Sequence, residues 1–215
     1  MQSDAKAAPA AGAKDAKAAA RRFHNRKLHS LLGVLPLGAF IVEHLFTNAF
    51  ILGGQNAYDR QVNFLLSLPK PILWSLEILF IAFPLAFHGI LGVKIALEGK
   101  PNAGQYRYAR NRNYSLQRYT SMYLLAFIIY HVWTTRFAGH FTYPAEGTTP
   151  SGAVMAVGAT DALVGNTESI YYFMVRKLSG NWLVGVAYLL GVAAAAFHFA
   201  NGMWTFCISW GITAG

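Results

Sequence analysis

The chain has 215 residues, 54% of them hydrophobic and 13% charged, with a mean hydropathy of +0.32. An ordinary soluble domain carries roughly 25% charged residues, so this is the composition of an integral membrane protein. The formal charge of +9 does not point to nucleic acid, because the basic residues sit between apolar segments, where they set topology, and not in a groove-like cluster with aromatics.

In chain order, residues 1–20 are Ala-rich with scattered Lys and Asp and lack the apolar core of a secretory signal. They predict a disordered tail ahead of a membrane domain over 21–215. The basic stretch RRFHNRKLHS leads into a first span over 28–52, kinked at Pro36. Residues 53–71 carry the Gly, Asn and Pro of a loop, with a short amphipathic piece near 62–66. A second span over 72–97 contains Glu77, His88 and Lys94, and the basic connector EGKPNAGQYRYARNRNYSLQR follows it. A third span is expected over 115–135, where the uncharged part from Tyr119 to Thr135 is just long enough to cross. In the long connection of residues 136–180, TYPAEGTTPSGAV reads as loop and SIYYFMVRK as a segment lying along the interface. The fourth span, 182–206, lies in a stretch from residue 178 to the end that holds no Asp, Glu, Lys or Arg. As one helix that stretch would be roughly 57 Å long, so an end or bend is expected near Asn201 and Gly202 or soon after. The expected fold is all-α, a transmembrane four-helix bundle.

Lys and Arg number seven in residues 1–27 and six in 94–118, against two in 53–70 and three in 136–181. The positive-inside rule therefore puts the N-terminus, the middle connector and the C-terminus in the cytoplasm. His44 and His131 each lie sixteen residues from the cytoplasmic start of their spans, and His88 and His198 sixteen residues from the outer start of theirs. At helical rise that is about 24 Å, which pairs His44 with His131 in the outer half and His88 with His198 in the inner half.

An ionisable group at such depth is costly unless it serves a purpose. Two histidines facing each other from two helices are the axial ligands of a b-type haem, so two levels predict two haems stacked across the membrane. The single Cys207 and the lack of a C-x-x-C-H sequence exclude a disulfide framework, a cluster held by four cysteines of this chain and covalent c-type haem. Diiron chemistry needs histidines clustered at i, i+3 or i+4, and respiratory cytochrome b of the quinol:cytochrome c type carries two ligands on each of two helices; neither spacing occurs. Gly89, Gly92, Gly191 and Ala193 to Ala196 beside the inner pair, with Gly33 and Gly38 on the first span, provide room for a flat macrocycle or simply pack helices. His24, His29 and His140 read as interfacial.

The segments RKLHSLLGVLPLGAFIVEHLFTN, LEILFIAFPLAFHGILGVKIA, NAGQYRYARNRNYSLQRYTS, IIYHVWTTRF and FHFANGMWTFCISWGIT resemble the cytochrome b membrane anchor of succinate:quinone oxidoreductases (succinate dehydrogenase and fumarate reductase), of the type with one anchor polypeptide and two haems. By position the resemblance implies His44 and His131 as ligands of the outer haem iron and His88 and His198 of the inner. It further implies a flavoprotein subunit with FAD that oxidises succinate, an iron-sulfur subunit, a quinone acceptor, typically menaquinone, and a place in the cell inner membrane within a larger complex. The family is similar to five-span proteins, and only four spans are expected here.

Quinone reduction takes up two protons, which makes Glu77 and Glu43, both in the expected outer half, candidates for proton exchange. The alternative is an inner-face site around Ser30, His29 and Arg26. Haem propionates attract cations: Lys94, Arg26 and Arg118 on the inner side, and Arg136 with Trp133 on the outer, are candidates, although topogenic charge also accounts for each. Arg107, Arg110 and Arg112 form a basic plate suited to an acidic partner. The same chain in a fumarate reductase, or a haem-free anchor whose histidines carry protons, are the alternative readings.

Overall fold

The computed structural model describes residues 10–99, 104, 108–138, 142–144, 154–156 and 169–213. Helix α1 (Ala10–Val34) passes through a bend at Leu35 into α2 (Pro36–Ala49), which ends in a 3-10 turn, Phe50–Gly53. Pro36 sits at the first position of α2, where its missing N–H costs no helical bond. The first helix therefore begins well before residue 20, and the part of the expected tail that is described, residues 10–20, is helical. Residues 1–9, Arg107 and His140 lie outside the described residues.

A short amphipathic helix, α3 (Gln55–Leu66), follows, and then α4 (Lys70–Ser75), a π-helical segment, Leu76–Ala82, and α5 (Phe83–Glu98). Pro84 explains the widened turn: it offers no N–H and its ring crowds the preceding carbonyl, and the Phe83 N–H reaches back five residues to Ile78. Helix α6 (Ala109–Val132) ends in a second π-helical turn, Trp133–Phe137. Two three-residue strands, β1 (Thr142–Pro144) and β2 (Val154–Ala156), pair antiparallel, Tyr143 facing Met155. Helix α7 (Ile170–Ser179) leads into α8 (Trp182–Ser209).

The expected break in α8 at Asn201 and Gly202 does not occur. Asn201 donates to the Gln117 side chain at 2.9 Å, so its amide is used between helices and not against its own backbone. The helix stops instead at Gly211, in the left-handed region at φ 73, where the N–H of Ile212 reaches Cys207 O and that of Gly211 reaches Ile208 O, a Schellman closure. Its 28 residues span about 42 Å, longer than the roughly 30 Å of hydrocarbon.

Among the described residues three helical stretches are long and apolar enough to cross a membrane: Lys14–Gly53, Lys70–Glu98 and Trp182–Ser209. Helix α6 has the length but is diluted by Arg110, Arg112, Arg118 and many Tyr, Ser and Thr residues. It packs on α8 and α5, while α1 packs on α5 and α8, so these four helices contact one another in a closed order. Their outward faces are apolar and uncovered, as at Val42, Phe80, Ile90 and Leu189, which is the inverse of a soluble protein and suits lipid contact.

At one end of this group α3 lies against α2 and α7. Asp59, 3% exposed, accepts from the Ser169 hydroxyl at 2.7 Å and from the Tyr171 N–H at 3.2 Å. A buried carboxylate with charge-assisted bonds to the first turn of α7 is a strong cap, and it ties the two connectors together. At the other end Lys27 donates to the Ser209 carbonyl and lies 4.5 Å from the Trp210 ring centre, and the Trp210 indole N–H donates to Ser30 at 3.2 Å.

Candidate functional site

The four histidines of the apolar segments meet as two pairs. His44 on α2 and His131 on α6 have ring centres 5.8 Å apart with planes at 80°, and His88 on α5 and His198 on α8 have centres 6.2 Å apart at 82°. The partners are those expected from depth counting. One metal ion bonded to two imidazoles at about 2 Å each needs ring centres about 6 Å apart, so both separations suit a shared ion.

Hydrogen bonds orient the rings. His88 donates from Nδ1 to the His29 carbonyl at 2.9 Å, and His29 donates from Nδ1 to the His88 carbonyl at 3.0 Å. A carbonyl only accepts, so the proton sits on Nδ1 and Nε2 of His88 keeps its lone pair. The two rings stack with centres 3.9 Å apart. His29, expected at the interface, thus lies directly against the His88–His198 pair. The Nδ1 of His198 is buried and has no hydrogen-bond partner among the described residues; its carbonyl accepts from Gln117 Nε2 at 3.0 Å. In the other pair His131 Nδ1 is 3.1 Å from the Tyr188 hydroxyl. Asn48 Nδ2 donates to the His44 carbonyl at 2.8 Å, and Asn48 Oδ1 accepts from Tyr58 at 2.9 Å. Burial pushes the Tyr58 phenol up to about 12, with Asp59 adding to the effect, so it stays a neutral donor.

Glycines admit these rings. A Cβ on Gly33 would lie 2.5 Å from His88 Cε1, and one on Gly92 would lie 3.0 Å from His29 Cε1. Gly38 gives the same clearance to Phe199 and Gly191 to Phe127, each 2.6 Å from a hypothetical Cβ. Phe127 stacks 5.9 Å from His131, so Gly191 belongs beside the His44–His131 pair and not beside His88–His198 as expected. Gly89 meets only Leu125, at 3.9 Å. A lone pair held by a fixed tautomer, an orphaned ring nitrogen and a side-chain-free cradle together fit a flat, metal-centred group better than they fit helix packing alone.

The remaining candidates are distributed differently. Arg136 pairs with Glu77 at 3.3 Å on the exposed surface, and Glu43 accepts from Thr47 at 2.7 Å. Trp133 is 64% exposed and tilts against Phe137. Arg118 donates to the Ala96 carbonyl and lies over Tyr114, while Lys94 and Arg26 are exposed. Sequence reasoning missed Tyr188, Gln117 and Lys177. Lys177 of α7 donates to Thr134 Oγ1 at 2.5 Å and lies 5.4 Å from the Tyr188 ring centre; burial pushes its ammonium down to about 8.

The chain matches no family model and no solved structure. It is 39% identical over 193 residues to the succinate dehydrogenase cytochrome b558 subunit of Bacillus subtilis, covering 90% of this chain and 82% of that protein. With that identity over nearly all of its length, and with histidines paired across apolar helices, the chain belongs to the family of succinate dehydrogenase cytochrome b subunits.

Proposed function

We propose that the chain is the di-haem membrane anchor of a succinate:quinone oxidoreductase, its α1–α2, α4–α5, α6 and α8 segments forming a transmembrane four-helix bundle. His44 and His131 hold the outer haem b and His88 and His198 the inner. The observation that carries this reading is the pair of imidazole separations, 5.8 and 6.2 Å, each between rings on different helices. Haem b supplies one-electron oxidation and reduction when bound. The protein's part is to fix the His88 imidazole in one tautomer, exclude water with apolar helices and keep the two levels apart.

In this reading the N-terminus and the basic connector with Arg107, Arg110 and Arg112 face the cytoplasm, where an iron-sulfur subunit and an FAD-bearing flavoprotein dock. Quinone, menaquinone by the family resemblance, is reduced beside the outer pair. Glu77 supports that placement, since its partner Arg136 sits on the turn that follows His131. Glu77→Gln is expected to lower quinone reduction several-fold while the haem content of the complex stays unchanged. Unaltered turnover in both Glu77→Gln and Glu43→Gln moves the site to the opposite face, around Ser30, His29 and Arg26.

The decisive measurement is a pyridine haemochrome assay on the intact complex, with a gel of its subunits. Two haems b per chain with co-purifying flavin and iron-sulfur subunits is the expected result. Absence of haem defeats the reading in favour of a haem-free anchor whose histidines carry protons. The ring planes, near perpendicular in both pairs, predict strongly anisotropic low-spin ferric EPR signals.

A further inference from the structure

The two histidine pairs differ in what lies behind them. His88 is backed by a main-chain carbonyl and His198 by nothing among the described residues. His131 alone is backed by a side-chain hydroxyl, that of Tyr188, and the contacts continue outward. The Lys177 ammonium lies 5.4 Å from the Tyr188 ring centre and donates to Thr134 Oγ1 at 2.5 Å, and the Thr134 hydroxyl reaches the His131 carbonyl at 3.3 Å. The donors and acceptors agree along the line. A ligand imidazole bound through Nε2 carries its proton on Nδ1 and donates to Tyr188; Lys177 donates to Thr134; Thr134 in turn donates to the Tyr130 carbonyl at 2.8 Å.

Lys177 is held in place. Its ammonium lies 5.5 Å from the Tyr130 ring centre, 5.7 Å from that of Phe173 and 5.4 Å from that of Tyr188, a three-sided aromatic enclosure that favours a cation. The helix that carries it is anchored through Asp59 to the first connector. Three acids of this end are otherwise engaged, Asp59 with Ser169 and Tyr171, Glu77 with Arg136 and Glu43 with Thr47. A positive charge in surroundings of low dielectric acts strongly on a nearby redox centre, and it favours the reduced, less positive form.

We propose that Tyr188 is a positioning residue for His131 and that Lys177, held against the Tyr188 ring and bonded to Thr134, is a cation that raises the reduction potential of the haem held by His44 and His131 above the value its ligands alone would set. This rests on the reading that His131 is a haem ligand. One haem alone thereby receives an electrostatic influence from a residue on α7, outside the helices that hold the histidines.

The test is a redox titration of the b-type absorption bands in membranes containing the full complex, comparing the unsubstituted chain with Lys177→Met, Lys177→Arg and Tyr188→Phe. In Lys177→Met the reduced-to-oxidised ratio of one haem at a fixed poise should fall roughly tenfold, which is about 59 mV for a one-electron centre. The other haem should stay in place, and Lys177→Arg should restore most of the shift. Tyr188→Phe, which keeps the ring and its packing, should move the same band and alter its EPR signal; it carries the test should Lys177→Met fail to assemble. Two normal bands with unchanged potentials in both Lys177→Met and Tyr188→Phe overturn this proposal and leave the ligand assignment standing, as does an equal shift of both haems. A complex without haem overturns both.

Discussion

His198→Ala is expected to yield a complex that retains the haem of the His44–His131 pair and lacks the other. The side chain of His198 contributes little to folding by itself: its Nδ1 is without a partner among the described residues, and the contact from Gln117 ends on the backbone carbonyl, which alanine keeps. The substitution therefore removes the proposed axial ligand without unmaking a hydrogen bond. His88 stays fixed by its bond to the His29 carbonyl and its stack on His29, but one imidazole does not hold a six-coordinate haem. A pyridine haemochrome assay and a low-temperature absorption spectrum should show one of the two b-type bands gone. Loss of the other band alone would mean that the pairs are wrongly assigned, and retention of both as low-spin, six-coordinate haems would remove His198 from the ligand set.

Gly33→Val should give a similar spectrum for a different reason. A Cβ at Gly33 would lie 2.5 Å from Cε1 and 2.8 Å from Nδ1 of His88. Those atoms are pinned by the His29 carbonyl on one edge and the His29 ring on one face, so the histidine has nowhere to yield. Either the ring turns and breaks the Nδ1 bond, or α1 and α5 separate. Overpacking of this kind costs about 1–3 kcal/mol, and either route takes His88 Nε2 away from its position opposite His198. The control is Gly89→Ala, one residue from His88, where the added carbon meets only Leu125 at 3.9 Å. Full haem content with unshifted spectra in Gly33→Val would show that the clearance at Gly33 is not needed.

The pairing of the histidines was legible in the sequence because depth along an apolar helix is counted in residues at fixed rise and alternate helices run in opposite directions. That logic gave partners but no sideways direction, and it left Gly191 beside the wrong pair. His29 was read as interfacial because it falls at the basic end of the first span; its contact with His88 depends on how closely α1 approaches α5, which the glycines at 33 and 92 allow. Asn201 and Gly202 looked like a helix end because both residues weaken helices locally, yet the bond to Gln117 across to α6 overrides that preference. Tyr188 and Lys177 left no periodic signal, since the first lies in an apolar helix and the second in a connector. The low hydropathy of α6 comes from exposed polar residues at its start, Arg110, Arg112 and Asn113, and from inward polar side chains such as Gln117, which meets both Asn201 and the His198 carbonyl.

The histidine pairs interleave along the chain: first with third helix, second with fourth. Synthesis runs from the N-terminus, so neither site exists while the first two membrane segments are the only ones made. The His44–His131 site has both imidazoles once α6 has emerged, although the Tyr188 hydroxyl arrives only with α8. The His88–His198 site has both imidazoles only when nearly the last residues of the described chain have been made. The ring that holds His88 in place, His29, thus belongs to the first membrane segment and its counterpart, His198, to the last of the described ones.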